Sequence, residues 1–211
     1  MRVHKEGYPF IALFAAINLL AFLLSNWLGL LLLPITIWCA AFFRDPERAT
    51  PTGDNLVICP ADGKLLPIID AAPPAELGMG DALRPRLSIF MNVFNVHVNR
   101  NPVSGQVVTL SYRPGKFFNA SFDKASIHNE RMSVRVKADT GQEIAYVQIA
   151  GLVARRIVCD LAQGQSVTRG QRFGIIRFGS RVDVYLPPGS EILVAPGMTT
   201  KAGETVLARL V

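Results

Sequence analysis

Cysteine is scarce in this chain of 211 residues: Cys39, Cys59 and Cys159 each stand alone. With no CxxC pair, a disulfide framework or thiolate zinc site is not expected, and a reducing compartment is the default. The histidines His4, His97 and His128 are equally scattered, so their spacing offers no metal cluster. Arginine-rich runs interleaved with aromatics are missing, which argues against a nucleic-acid partner. The net charge of +6 therefore points to an anionic lipid surface. Charge itself is missing from Phe10 to Phe43.

That uncharged run is the first positive feature. As one helix its 34 residues would extend about 51 Å, against a hydrocarbon core of about 30 Å. The polar step Ser25-Asn26 divides it into Phe10–Leu24 and Trp27–Phe43. Each piece is short for a full crossing, which suits a tight helical hairpin or one that dips partway. Arg2 and Lys5 precede the run and Arg44 and Arg48 follow it, so both ends are expected on the cytoplasmic face of the cell (inner) membrane. A cleaved signal peptide fits less well, because the apolar stretch is too long and lacks a small-x-small site.

Residues 44–54 are charged and proline-rich and mark the boundary of a second part. The expected organisation is 1–48 as the membrane-anchoring helical segment and 49–211 as a β-rich domain. Strands are expected over Leu56–Cys59, Leu65–Ile69, Leu87–Val98, Gln106–Tyr112, Met132–Lys137, Ile144–Ile149 and Val153–Cys159. Ala71–Pro85, rich in proline and glycine, is expected to be an exposed loop. Short strands without intervening long helices predict a mainly β fold, a sandwich or barrel. The stretch Gly164–Phe173 resembles Gly197–Val206 at an offset of 33 residues, each a turn, a basic spacer and a glycine before a strand. Lipoyl- and biotinyl-like barrel-sandwich domains use similar turns.

Four stretches can carry chemistry. Pro60-Ala61-Asp62-Gly63 is either a hairpin turn or a carboxylate held at a loop tip. In Phe94–Pro102, strand alternation puts His97, Asn99 and Asn101 on one face, with Arg100 on the other. His97 is the natural acid/base candidate. Phe122–Ser126 contains Asp-Lys-Ala around Lys124, as at lipoylated lysines, or is an exposed turn. His128–Met132 lines a polar pocket or is a solvated turn. Finally, Gly179-Ser180 by itself is a tight turn or bulge, or a serine that attacks its own backbone.

Together these motifs resemble the phosphatidylserine decarboxylase proenzymes, in their short bacterial and archaeal form. The resemblance runs from about Phe42 to Val211. It rests on Phe42–Arg48, Pro60–Gly63, Asn95–Arg100, Asn119–Ser126, Asn129–Arg131 and Phe178–Ser180. It implies a pyruvoyl enzyme made by self-cleavage. Ser180 Oγ attacks the Gly179 carbonyl, the amide becomes an ester, and elimination followed by hydrolysis leaves a pyruvoyl group on a small chain, 180–211, paired with a large chain, 1–179. The ketone then condenses with the amine of the serine headgroup to a Schiff base, and the adjoining amide carbonyl accepts electron density as carbon dioxide leaves. Carried over by motif, Ser180, His97 and Asp62 are the catalytic residues. Arg100 and Lys116 are candidates for substrate binding. One departure is that Arg100 stands where long-form enzymes carry a second histidine; another is Arg181 after the cleavage point. Phe90, Met91, Phe94, Phe117 and Phe118 are candidates for acyl-chain contact. Two other classes remain: a membrane-tethered carrier using Lys124, and a non-enzymatic anchored β interaction domain.

Overall fold

The computed structural model describes residues 2–118, 120, 128–151, 156–177 and 180–211. They fall into two compact units, Met1–Glu47 and Arg48–Val211.

The first unit is a helical hairpin. Helices α1 (Tyr8–Leu24) and α2 (Asn26–Phe42) are separated by Ser25 alone, whose extended backbone (φ −164°, ψ 132°) interrupts the helical run. Asn18 Nδ2 donates to the Gly29 carbonyl at 3.0 Å, a polar tie between the two helices. Gly29 allows the close approach: a Cβ there would lie 2.2 Å from the Phe22 ring. The open ends are joined by backbone bonds, His4 N to Phe43 O at 2.9 Å and Asp45 N to Arg2 O at 2.8 Å. Residues Lys5–Leu24 form an apolar helix of 20 residues with a mean hydropathy of 2.0, long enough to cross a membrane by length and composition. Helix α2 is shorter, and Leu19, Leu23, Leu24, Trp27 and Leu31 point outward. An outward apolar surface of this kind suits a lipid environment.

The second unit is mainly β, as expected. Its strands are β1 (Leu56–Ile58), β2 (Gly63–Leu65), β3 (Ile69–Ala71), β4 (Arg84–Met91), β5 (Val98–Arg100), β6 (Gly105–Arg113), β7 (Arg131–Ala138) and β8 (Glu143–Ala150). They continue with β9 (Arg156–Cys159), β10 (Ser166–Val167), β11 (Arg172–Arg177), β12 (Ser180–Tyr185), β13 (Glu191–Ile192), β14 (Thr199–Thr200) and β15 (Val206–Arg209). A nine-stranded sheet runs β10-β6-β7-β8-β12-β4-β2-β14, with β3 also on β4. It curls as a half-barrel. Two three-stranded sheets, β1-β15-β13 and β5-β11-β9, accompany it. Strands β8 and β12 lie at its centre, buried on both faces. One face packs the main core, including Leu87, Ile89, Val134, Tyr146, Val182 and Val184; the other packs Ala145, Val147, Ile149 and Tyr185 with Leu77.

The repeat in sequence is a repeat in structure. Gly164 and Gly197 (φ +81° and +87°) open the two copies, and Gly170 and Gly203 (φ +81° and +77°) close them. Gly164 N donates to Val107 O as Gly197 N donates to Leu65 O, each at 2.8 Å, and the returning bonds, Val107 N to Gln165 O and Leu65 N to Met198 O, match as well. The two copies thereby seat β10 against β6 and β14 against β2.

Three local expectations change. Leu87–Val98 is two strands, because Asn92 and Asn95 side chains fold a turn between them: Asn92 N and Phe94 N donate to Asn95 Oδ1 and Asn92 Oδ1, both at 2.9 Å. Pro60–Gly63 is not a hairpin turn, since β1 pairs with β15 while β2 pairs with β4 and β14. Ala71–Pro85 is not simply an exposed loop. It carries a short 3-10 helix, Ala75–Leu77, whose Leu77 is buried and whose Glu76 bonds Arg131 and Ser133.

Candidate active site

Ser180 opens β12 and is completely buried. Its register partners are Met91 on one side and Ala150 on the other. Its Oγ lies 3.9 Å from Met91 Sδ, a weak acceptor. Asn99 Nδ2 approaches the same sulfur at 3.8 Å, and Gln148 Nε2 donates to Asn99 Oδ1 at 2.8 Å. Gln148 Oε1 is buried without a hydrogen-bond partner. A line of polar groups therefore leads from Ser180 through Met91 and Asn99 to an unsatisfied acceptor.

His97 immediately precedes β5, whose Asn99 reaches this assembly. Strand β5 lies over the core face of β8 with a two-residue step: Asn101 accepts from Tyr146 Oη at 2.8 Å and Asn99 from Gln148. His97 is fully buried, and its Nδ1 lies 3.0 Å from the Asn95 carbonyl. A carbonyl only accepts, so in this bond Nδ1 carries the hydrogen. Ile176 N donates to His97 O at 3.4 Å. Gly179 itself lies outside the described residues, as do Lys124 and most of the Asn119–Ser126 motif.

Asp62 is held two strands away from Ser180 across β4, at roughly 10 Å. Both its oxygens are engaged: Arg48 Nη2 donates to Oδ2 at 2.8 Å and Ala202 N to Oδ1 at 2.7 Å. Arg100 joins this second group. Its N donates to Pro60 O at 2.9 Å and its Nη1 to Gly170 O at 2.8 Å, within the interior. The Arg100 stem passes Gly203 so closely that a Cβ there would sit 2.8 Å from Arg100 Cδ. Lys116 is exposed, with Nζ 5.9 Å from the Phe118 ring centroid. Of the acyl-chain candidates, Phe94, Phe117 and Phe118 are exposed, whereas Met91 is completely buried beside Ser180.

The reverse face of β12 carries charge. Arg181 and Asp183 alternate with Ser180 and Val182, and Arg181 donates to Ala120 O at 3.3 Å. Next to them Tyr185 has its hydroxyl pushed up to about 12, chiefly by burial and then by the Asp183 charge. A cavity of about 330 Å³ lined by Asp54, Ser104, Asp139 and Arg169 lies at the opposite end of the sheet and takes no part in this site.

The phosphatidylserine decarboxylase family model matches residues 35–208. The chain belongs to the phosphatidylserine decarboxylase family. It is therefore an enzyme by that membership. It is 61% identical over 214 aligned positions to the phosphatidylserine decarboxylase proenzyme of Paramagnetospirillum magneticum, covering 99% of this chain and 87% of that protein. The proenzymes of Rickettsia akari and Rickettsia prowazekii are 56% and 55% identical over 206 positions, covering 98% of this chain and 89% of each relative. Within this family frame, Met91 and Asn99, which the sequence marked only as an acyl-chain candidate and as a residue on the face of His97, lie about Ser180, and the neighbouring residue that motif reading missed is Gln148. Gln148 was signalled only as the lone side-chain amide within Ile144–Ile149.

Proposed function

We propose that this family member cleaves itself between Gly179 and Ser180 and then decarboxylates phosphatidylserine to phosphatidylethanolamine through the pyruvoyl group so formed. The observation that carries the reading is the placement of Ser180, completely buried at the head of a central strand of the large sheet, with the buried His97 two residues before Asn99, which reaches Met91, the register partner of Ser180. Water is excluded, which favours transfer of the Gly179 acyl group to Oγ over direct hydrolysis. Met91 Sδ is a weak acceptor and leaves the Ser180 hydroxyl proton available to a base. His97, oriented by the Asn95 carbonyl, is that base and later the proton donor. Ser180 becomes the pyruvoyl group, which supplies an electron-accepting carbonyl to the substrate's amine.

The surroundings of Ser180 fit such a group. The orphaned Gln148 Oε1 is an acceptor for the substrate ammonium, and Asn99 holds Gln148 in place. Asp62 acts as a positioning residue: with Arg48 and the Ala202 amide it pins the turn against which Arg100, and hence the His97 strand, is bonded. The exposed Lys116 supplies positive charge toward the phosphate of the lipid, whereas Arg100, held in the interior on Gly170 O, is not presented to it. After cleavage, residues 180–211 remain inside the fold, because β12 lies between β4 and β8 while β14 and β15 pair with β2 and β1. The two chains then form a heterodimer. The helical hairpin anchors it on the cytoplasmic face of the inner membrane.

Denaturing electrophoresis with mass measurement tests the reading. The wild type yields a C-terminal fragment beginning at residue 180 with a pyruvoyl-blocked end, and Ser180→Ala stays whole and releases no carbon dioxide from phosphatidylserine. An intact wild-type chain carrying an adduct on Lys124 would overturn it in favour of a carrier.

A further inference from the structure

The edge of the large sheet at Ser180 is also where the second unit exposes aromatic rings. Phe94 is 70% exposed at the tip of the turn that leaves Met91, the register partner of Ser180. That turn is braced by the Asn92 and Asn95 side chains, so the ring stands on a rigid mount. Phe117 and Phe118 are exposed on the extension of β6. Their backbone is tied to the other partner of Ser180: Asn129 Nδ2 donates to both Phe118 O and Ala150 O, each at 2.7 Å, and Phe118 N donates to Asn129 Oδ1 at 2.9 Å. The two aromatic loops therefore flank Ser180: the Phe94 turn leaves β4, and Phe118, on the extension of β6, is tied through Asn129 to Ala150 of β8, two strand spacings or about 10 Å from β4.

Cations share this edge. Arg113 ends β6, Lys116 follows it, and Arg156 is paired with Arg177 just before the crossing into β12. Arg113, Lys116 and Arg156 are exposed. The opposite edge differs: the β7–β8 turn there is Asp139-Thr140-Gly141, exposed and polar. Single exposed rings are ordinary on protein surfaces, but three gathered on one edge among cations are a recognition surface. Aromatic rings with flexible cations beside them match the headgroup boundary of an anionic bilayer, where rings sit at the apolar margin and ammonium and guanidinium groups meet phosphate.

We propose that this edge is a bilayer-docking surface, with Phe94 on one side of Ser180 and Phe117 and Phe118 on the other entering the headgroup boundary of an anionic leaflet. The proposal deepens the decarboxylase reading by stating how the site meets a lipid. A phosphatidylserine molecule then reaches Ser180 from the leaflet between the two loops, without leaving the interface.

The test is optical and independent of turnover. Full-length chain carrying Ser180→Ala, with Trp27→Phe and Trp38→Phe to remove the natural tryptophans, receives Phe94→Trp, Phe118→Trp or, as the opposite-edge control, Thr140→Trp. Each is reconstituted into phosphatidylcholine–phosphatidylglycerol vesicles with brominated or ordinary acyl chains. Bromine lowers the fluorescence of the Phe94→Trp and Phe118→Trp chains by about twofold or more and leaves that of the Thr140→Trp chain unchanged, as expected for rings at the acyl boundary. Equal quenching in all three chains, or none in the Phe94→Trp and Phe118→Trp chains, would overturn the docking edge. Undiminished quenching in vesicles lacking phosphatidylglycerol would overturn its anionic preference. Because Ser180 is absent throughout, failure of self-cleavage in the wild type leaves these readings unaffected.

Discussion

The guanidinium of Arg181 lies against the carboxylate of Asp183, Nη2 2.8 Å from Oδ2, and neither side chain reaches solvent. They are two residues apart on β12, on the face away from Ser180 Oγ, and Arg86 Nε stands 3.9 Å from the same carboxylate. One carboxylate thus serves two buried guanidinium groups directly behind the proposed pyruvoyl end. Removing it takes the carboxylate countercharge from both cations, whereas removing Arg181 leaves the Arg86–Asp183 pair. Asp183→Asn is therefore expected to cost about 3–5 kcal/mol and Arg181→Met clearly less. Denaturant unfolding of the full chain in detergent, in a Ser180→Ala background to keep one species, measures both; equal losses would refute the ordering.

Glu76 gives a pH signature on the same face. Burial pushes its carboxyl up, but hydrogen bonds from Arg131 at 2.8 and 2.9 Å and from Ser133 at 3.0 Å outweigh it, and the net shift is downward from 4.5. A lowered folded pKa means that the unfolded chain binds the proton more readily. The stabilisation is complete above the ordinary carboxylate value and disappears as pH falls through the lower, folded one. Glu76→Gln should lower stability by about 1–3 kcal/mol at neutral pH. Thermal scans should show the gap to the parent chain narrowing as the solution is acidified below pH 4.5; a gap independent of pH would assign the loss to packing.

The two thiols of the β unit should be inert. Burial pushes Cys59 up to about 12 and Cys159 up to about 11, so almost no thiolate exists at pH 8. Iodoacetamide at that pH is expected to leave both unmodified in the native chain and to label both after denaturation, as read by mass spectrometry. Rapid native labelling of Cys159, the less buried of the two, would contradict this.

Much of the layout was legible because it is local. The Ser25-Asn26 step marked the helix break, since a polar pair interrupts an apolar helical run where a turn needs one. The 33-residue repeat marked two equivalent turns because glycine at positive φ is required at the same four places. Alternation put His97, Asn99 and Asn101 on one face, and Asn99 and Asn101 do bond β8 from that face. The partners of those residues were not legible. Asp62-Gly63 has the local chemistry of a hairpin, but its flanking strands pair with segments more than 20 residues away. Leu77 looked like loop, because nothing nearby in the chain says that a second sheet face needs covering.

By itself the sequence determined the class of the protein: an apolar hairpin, a β domain with an internal repeat, and a set of motifs shared with one decarboxylase family. Those properties follow from short-range periodicity, turn chemistry and residue order. Only the tertiary structure decided that Met91, Asn99 and Gln148 surround Ser180, that Asp62 is engaged with Arg48 and Ala202, and that Phe94 and Phe118 flank the same edge. Each of these depends on which strands pair and in what register. That choice is made by burying two faces of one sheet at once, and no local stretch of chain records it.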